Sequence, residues 1–142
     1  TVRTENADSN PLRVVVDSNN IITDKSLNIF SSNANTLILN NNNSEILANG
    51  KLDLKSVLKK LGEMGINNLL LEAGSGLNGA MTEAGLIDEF IIYTAPLILG
   101  SDANPMIEIP LKKMSDKIKL NIVEVSQIDC DIKIRATIKW IT

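Results

Sequence analysis

The sequence predicts an α/β fold with a mixed sheet, parallel at its centre and antiparallel in a C-terminal hairpin, with helices flanking the sheet. Short apolar runs alternate with segments of helical spacing through the middle of the chain, a β-α-β-α-β order that normally gives parallel strands. From Ile118 to Trp140 apolar and polar residues alternate instead, with a break at Ser126 and Gln127, as in antiparallel strands with one buried face. The length of 142 residues suits one domain with its own core.

Four earlier strands are predicted from short apolar or β-branched runs that stop at polar or glycine-rich turns. They cover residues 12–16, 36–39, 69–71 and 90–95. Because the run 90–95 is apolar on both faces, we expect it in the centre of the sheet. The residues between the first two strands predict a long loop with at most one short strand, and the asparagine run after residue 39 predicts a solvated turn.

Two helices are predicted between these strands. Asp53 is a suitable N-cap, apolar residues follow at helical spacing up to Met64, and Gly65 ends the first helix. The second helix follows a glycine-rich turn and ends before Gly85. Its apolar face is expected to consist of Leu77, Ala80, Met81 and Ala84.

Composition excludes several classes of function. A formal net charge of −3 and an aromatic content of 3% argue against a broad nucleic-acid-binding face. With no histidine and the single Cys130, the chain lacks the residues for a zinc site, a disulfide or a Ser-His nucleophile. No apolar run approaches the roughly 20 residues of a membrane span, and no signal peptide is apparent. We therefore expect a cytoplasmic protein without metal, membrane or nucleic-acid partners.

The pattern G-x-G-x-x-G spans residues 74–79, between a predicted strand and a predicted helix. Glycines in such a turn let backbone N–H groups approach a pyrophosphate, and the helix dipole favours the negative charge. The alternative is that Gly74 and Gly76 only make a tight strand-to-helix turn. A Rossmann fold would also need an acidic residue at the end of the next strand, and none stands there. The pattern therefore predicts a nucleotide site in another kind of fold.

Polar residues end two of the predicted strands. Glu72 stands beside the glycine-rich turn, where a carboxylate can meet a polar ligand at the carboxyl end of a sheet. A capping or solvated carboxylate is the alternative. Asp17 and Ser18 end the first strand in the same manner, so we expect them to face the same crevice. Arg3 lies in the polar N-terminal stretch, and no feature of the predicted fold explains it.

Four segments resemble the C-terminal reductase domain of the bacterial bifunctional deaminase/reductase of riboflavin biosynthesis, which has a dihydrofolate-reductase-like fold. Residues 1–3 (TVR) resemble the end of that family's D-x-P-x-L-T-x-R segment, and residues 11–18 (PLRVVVDS) its P-x-R-V-V-x-D-S strand. Residues 71–89 resemble its E-x-G-x-x-L-x-x-x-x-x-x-x-G-L-x-D-E block. Residues 93–100 (YTAPLILG) resemble its A-P-x-x-L-G strand end.

The resemblance implies an NADPH-dependent oxidoreductase that reduces 5-amino-6-(5-phosphoribosylamino)uracil to the ribityl form, with hydride delivered to C1 of the ribose. Arg3 and Glu72 would contact the substrate, and Glu72 is the one candidate for a catalytic acid. The implied cofactor-binding residues are Ser18, Gly74, Ser75, Gly76, Leu77, Asn78, Gly79 and Ala80. The preference for NADPH over NADH rests on the resemblance, since no arginine for a 2′-phosphate is apparent.

The resemblance also implies that residues 1–142 are the C-terminal portion of a reductase domain, without its first strand–helix–strand and without the deaminase domain upstream. Two alternatives are a related dihydrofolate-reductase-like enzyme for another heterocycle and a non-catalytic nucleotide-binding module. The family tends toward dimers, which implies a homodimer here. The alternating segment that ends at Trp140 has an apolar face suited to a second copy or to the chain's own core.

Overall fold

A computed structural model describes residues 10–31 and 34–139, which belong to two compact units divided between Leu69 and Leu70. Arg3, the segment 1–3 and Trp140 lie outside the described residues. The described elements are β1 Arg13–Val16, β2 Thr36–Leu39, α1 Leu54–Glu63, α2 Ser75–Glu83, β3 Glu89–Thr94, β4 Lys119–Ile128 and β5 Asp131–Lys139. The mixed α/β class is confirmed, because the first unit holds a parallel strand pair and the second an antiparallel sheet.

The first unit contains β1, β2 and α1. The strands pair in parallel from Arg13 opposite Thr36 to Val16 opposite Leu39. The buried core of this unit consists of Leu39, Leu52, Val57 and Leu61. Apolar residues of β1 and β2 pack against this cluster, so the helix covers the apolar side chains that the strands present.

The ends of α1 agree with the sequence prediction. The Asp53 carboxylate accepts the Lys55 N–H at 3.1 Å and so satisfies one of the first free donors of the helix. Gly65 has φ +82°, and the Ile66 N–H returns to the Leu61 carbonyl at 3.1 Å, a Schellman ending. Met64 was expected on the apolar face, but it is 53% exposed because the helix has already ended there.

Arg13 ties the connection between β1 and β2 to the strand pair. Its guanidinium donates to the carbonyl oxygens of Asn28 at 3.1 Å, Ser31 at 2.6 Å and Ala34, and to the Ser31 hydroxyl at 3.1 Å. The described part of this connection contains a 3₁₀ turn, Asn28–Phe30, and no strand. The arginine therefore supplies donors to carbonyl groups that no sheet satisfies.

We expect Arg13→Met to lower the free energy of unfolding by about 2–4 kcal/mol, because several part-buried acceptors lose a charged donor. Urea denaturation followed by circular dichroism measures the change. Lys51→Met is the matched control, since Lys51 is exposed. An effect of Arg13→Met no larger than that of the control would contradict the role of the guanidinium.

The second unit contains α2 and a three-stranded antiparallel sheet in the order β3-β5-β4. The predicted hairpin is present, but β4 continues through Ser126 and Gln127, and the turn lies at Asp129 and Cys130. Asp129 takes φ +51°, and Cys130 is exposed rather than part of a buried face. An irregularity in the pairing between Ile122 and Glu124 shifts the alternation along β4, which explains why the sequence pattern misplaced the turn.

Two strand predictions were wrong. Residues 69–71 belong to no strand, and Leu70 is 74% exposed. β3 was expected in the centre of the sheet, but it is an edge strand that pairs with β5, and Tyr93 is 60% exposed. An apolar run favours a strand only where another backbone pairs with it, and no described strand pairs with residues 69–71.

The buried face of α2 also differs from the prediction. Gly79, Met81 and Thr82 are buried, whereas Ala80 and Ala84 are exposed. The helix ends as predicted, with Gly85 at φ +70° and the Leu86 N–H bonded to the Met81 carbonyl at 3.0 Å. The described residues include no helix that could cross a membrane. They include no cluster of three or more His, Cys, Asp or Glu residues arranged to hold a metal ion.

Candidate functional site

The N-terminus of α2 presents unpaired backbone donors. Gly74 is the N-cap residue and provides no side-chain cap. The first bond within the helix runs from the Asn78 N–H to the Gly74 carbonyl at 3.1 Å. The N–H groups of residues 75–77 have no acceptor in the described part of the chain. Together with the positive end of the helix dipole, these groups can bind an anion such as a phosphate.

Neither Gly74 nor Gly76 is a glycine because of a special backbone angle or a close contact in the described part of the chain. Neither has a positive φ, and a Cβ atom built on either residue meets nothing within 4 Å. Gly76 lies in the first turn of the helix, where glycine is less favourable than alanine by up to about 1 kcal/mol, whereas Gly74 is the N-cap residue, a position at which glycine is common. The N-cap position therefore accounts for Gly74, but the described structure gives no reason for a glycine at 76, and both residues leave open space beside the start of the helix.

Asn78 and Gly79 serve a different purpose from the first two glycines. The Asn78 side-chain amide donates to the carbonyl oxygens of Ala73 at 3.0 Å and Met106 at 3.2 Å. A Cβ atom on Gly79 would overlap the carbonyl oxygen of Glu108 and lie 2.9 Å from its carbonyl carbon. These two residues hold the glycine-rich turn against residues 106–108, while Leu77 is half-buried and Ala80 is exposed.

Glu72 lies two residues before the N-cap of α2, in the same unit. Its side chain is exposed, and it has no hydrogen bond or ion pair with any residue that the structure describes. Glu72 does not cap α2, since no side chain forms a capping hydrogen bond at the start of that helix. The carboxylate is therefore free to accept a hydrogen bond from a ligand or to exchange a proton with it.

In the first unit, the two polar residues after β1 have local partners. The Asp17 carboxylate is buried and accepts the N–H groups of Ile21 at 3.0 Å and Ile22 at 2.9 Å, so it closes the turn after the strand. The Ser18 hydroxyl is half-buried and accepts the Leu52 N–H at 3.4 Å. That bond leaves the hydroxyl proton of Ser18 available to a ligand.

An open cavity of about 400 Å³ lies where β1 and β2 end. Polar residues form much of its wall, including the buried Asp17 and three asparagines from the run after β2. Lys25 is the basic residue in the wall. The sequence indicated only a solvated turn here and singled out neither the asparagines nor Lys25. No local pattern could have identified them, because two strands separated by a long connection bring them together.

Comparison with known proteins identifies relatives along nearly the whole chain. The family model for the RibD C-terminal domain matches residues 1–134. The 5-amino-6-(5-phosphoribosylamino)uracil reductase of Buchnera aphidicola subsp. Acyrthosiphon pisum is 36% identical over 137 residues, which cover 87% of this chain and 66% of that protein. The riboflavin biosynthesis protein RibD of Escherichia coli is 40% identical over 84 residues, 58% of this chain and 23% of that protein. The chain thus spans just under two thirds of the first relative and less than a quarter of the second.

Solved structures agree with this similarity. Acinetobacter baumannii RibD, form 2, is 27% identical with a TM-score of 0.78, and the match covers 91% of this chain and 38% of that one. A deaminase/reductase from Thermotoga maritima has a TM-score of 0.79 at 20% identity over 96% of this chain and 40% of that one, a similarity that concerns the fold alone.

Proposed function

This chain belongs to the RibD C-terminal domain family, and from that premise we propose that it acts in the reduction of 5-amino-6-(5-phosphoribosylamino)uracil to its ribityl form in riboflavin biosynthesis. This reaction corresponds to the name of the Buchnera relative. NADPH is the proposed reductant, and when bound it supplies hydride for C1 of the ribose. We further propose that residues 1–142 are the C-terminal portion of a reductase domain.

The observation that carries the proposal is the uncapped N-terminus of α2. Three consecutive N–H groups, from Ser75 to Leu77, have no acceptor among the described residues, and a Cβ atom on Gly74 or Gly76 would meet nothing within 4 Å there. These features fit the pyrophosphate of a dinucleotide, which would accept the N–H groups and gain from the helix dipole. Residues 74–80 would therefore hold the cofactor. Within this segment, Asn78 and Gly79 would keep the turn in place through their contacts with residues 106–108.

The proposed substrate contacts are Glu72 and Arg3. The carboxylate of Glu72 is exposed and has no partner among the described residues; it would orient the substrate through its hydroxyl or amine groups and is the candidate acid for the departing ring oxygen. Arg3 is proposed for the sugar phosphate, because a guanidinium binds phosphate through paired hydrogen bonds. Ser18 is proposed as a further cofactor contact through its hydroxyl proton, which has no acceptor among the described residues.

The full-length protein that contains this chain provides the direct test. Purified protein is mixed with NADPH and 5-amino-6-(5-phosphoribosylamino)uracil, and the oxidation of NADPH is followed together with formation of the ribityl product. We expect both. Reduction of dihydrofolate without reduction of the pyrimidine would show that the protein is a related dihydrofolate-reductase-like enzyme that acts on another heterocycle. Binding of NADPH with neither reaction would indicate a nucleotide-binding module.

Gly76→Ala separates cofactor binding from folding. We expect NADPH affinity to fall about 10-fold, because a methyl group would occupy the space in front of the free N–H groups. The same change should raise the free energy of unfolding by up to about 1 kcal/mol, since alanine favours the helix. Fluorescence titration and urea denaturation measure the two effects.

Gly62→Ala is the control for that variant. Gly62 lies in α1, where a Cβ atom also meets nothing within 4 Å, so the variant should gain stability without losing NADPH affinity. Unchanged NADPH affinity in Gly76→Ala would exclude this turn as the pyrophosphate site.

Three further expectations from the sequence stay predictions: a homodimer, a cytoplasmic location and the absence of a nucleic-acid partner. Size-exclusion chromatography with light scattering on the full-length protein would test the first.

A further inference from the structure

We propose that residues 105–110 form a strap that holds the glycine-rich turn, and that Asn78 is the positioning residue that couples the strap to the turn. A cofactor bound at the turn then stabilises the strap, although the strap lies outside the proposed cofactor-binding residues 74–80. The inference rests on the proposed function and deepens it, because it concerns how the same turn is kept in its binding conformation.

The strap belongs to a long segment without regular structure. Residues 95–113, between β3 and the 3₁₀ turn Met114–Asp116, contain no helix or strand. All of them are exposed except Ile107 and Ile109, which are half-buried and lie within the strap. The segment is longer than the roughly 12–15 residues beyond which an irregular connection in a compact domain is usually functional.

The strap is anchored to the start of α2. The Glu108 N–H donates to the Ser75 carbonyl at 3.1 Å, and the Asn78 side-chain amide donates to the Met106 carbonyl at 3.2 Å. Among the residues that the structure describes, no other hydrogen bond joins residues 97–111 to an α-helix or a strand. The conformation of the strap therefore depends on the start of α2.

One planar peptide group links the strap to the proposed phosphate site. The Ser75 carbonyl, which accepts from Glu108, and the Gly76 N–H belong to the same peptide group, and that N–H is one of the three proposed for the pyrophosphate. The bond to the strap therefore helps to fix the direction of this donor. Asn78 adds a second link, because its amide also donates to the Ala73 carbonyl at 3.0 Å and so holds the residues before the helix.

The coupling acts in both directions. Pro105 and Pro110 bound the strap and restrict the backbone at and before each ring, so few conformations compete with the one that contacts α2. A ligand that fixes the start of α2 stabilises the strap, and by thermodynamic reciprocity the ordered strap raises the affinity of the turn for that ligand by the same factor.

Amide hydrogen exchange in the full-length protein measures this coupling. The probe is the Glu108 N–H, which exchanges when its bond to Ser75 opens. With NADPH at about 100 times its dissociation constant, complete coupling would slow this exchange about 100-fold, and we expect at least about 10-fold. The Leu86 N–H, bonded to Met81 at the other end of α2, is the reference for general stabilisation of the unit and should slow less.

Asn78→Ala tests the positioning role. We expect NADPH affinity to fall about 10-fold, and the excess slowing at Glu108 over Leu86 to disappear at the same multiple of the variant's own dissociation constant. Alanine favours a helix more than asparagine does, so a loss of helix propensity would not explain this result. Glu83→Ala is the matched control, because Glu83 is an exposed residue of α2 with no hydrogen bond to the strap in the described structure.

The outcomes separate this inference from the proposed function. Excess slowing at Glu108 that is lost in Asn78→Ala supports the coupling. Equal slowing at Glu108 and Leu86 overturns it, and so does excess slowing that persists in Asn78→Ala. If NADPH does not bind, the proposed function fails, and the exchange rates without ligand decide. Exchange at Glu108 about 10-fold faster in Asn78→Ala than in Glu83→Ala then supports the strap, whereas equal rates overturn it.

Discussion

Gly79→Ala is expected to destabilise the second unit by about 3 kcal/mol or more, because the new methyl group would overlap backbone rather than a movable side chain. The obstructing atom is the carbonyl oxygen of Glu108. It cannot easily withdraw, because the Glu108 N–H is bonded to the Ser75 carbonyl at 3.1 Å and the Asn78 amide holds the Met106 carbonyl. Relief of the overlap would therefore break the contacts that position the glycine-rich turn.

Urea denaturation of Gly79→Ala, beside Gly76→Ala and Gly62→Ala, measures this effect. The two control glycines have open space at the Cβ position, so their variants should be as stable as the parent or slightly more so. Wild-type stability of Gly79→Ala would show that residues 106–108 move without cost, and the tethering role of Asn78 would then have to be abandoned.

Glu72→Gln is expected to reduce the turnover of the full-length protein by about 100-fold or more, since positioned acid–base groups contribute factors of that order. NADPH affinity should change by less than about two-fold, because the free N–H groups of the turn, and not this carboxylate, are proposed to hold the cofactor. Steady-state kinetics and fluorescence titration of NADPH separate the two effects.

Glu83→Gln is the matched control for Glu72→Gln. Glu83 is also exposed, it ends α2 in the same unit, and it should leave turnover unchanged. A variant of Glu72 that loses NADPH binding would mean that this carboxylate serves the cofactor. A variant with full turnover would remove Glu72 from the reaction.

Local features were predicted well because their causes lie within a few residues of each other. Asp53 caps α1 through a neighbouring N–H, and Gly65 and Gly85 end the two helices by adopting a positive φ. The resemblance to the reductase family was also confirmed, and it depended on short segments in a constant order along the chain. The hairpin turn lies three residues beyond the predicted break, because an alternating sequence pattern does not show where the pairing of two strands becomes irregular.

Strand pairing could not be predicted in the same way. The run 69–71 and the run that became β3 are both strongly apolar, yet the first pairs with no described strand and the second forms a sheet edge. Hydrophobic residues indicate that a segment prefers a covered position. Which backbone covers it depends on segments far away in sequence, and the pattern within the segment carries no information about them.

The amino-acid pattern alone was enough to predict the α/β class, the helix ends, the family and the glycine-rich turn as the candidate nucleotide site. Only the tertiary structure distinguished the glycines of that turn. Gly76 faces open space, while Gly79 packs against the backbone of Glu108, a residue 29 positions later. Likewise, Lys25 and the asparagines after β2 line one cavity only once the strands have paired. A motif specifies residue types at fixed spacing, but the role of each residue depends on the atoms that folding brings opposite it.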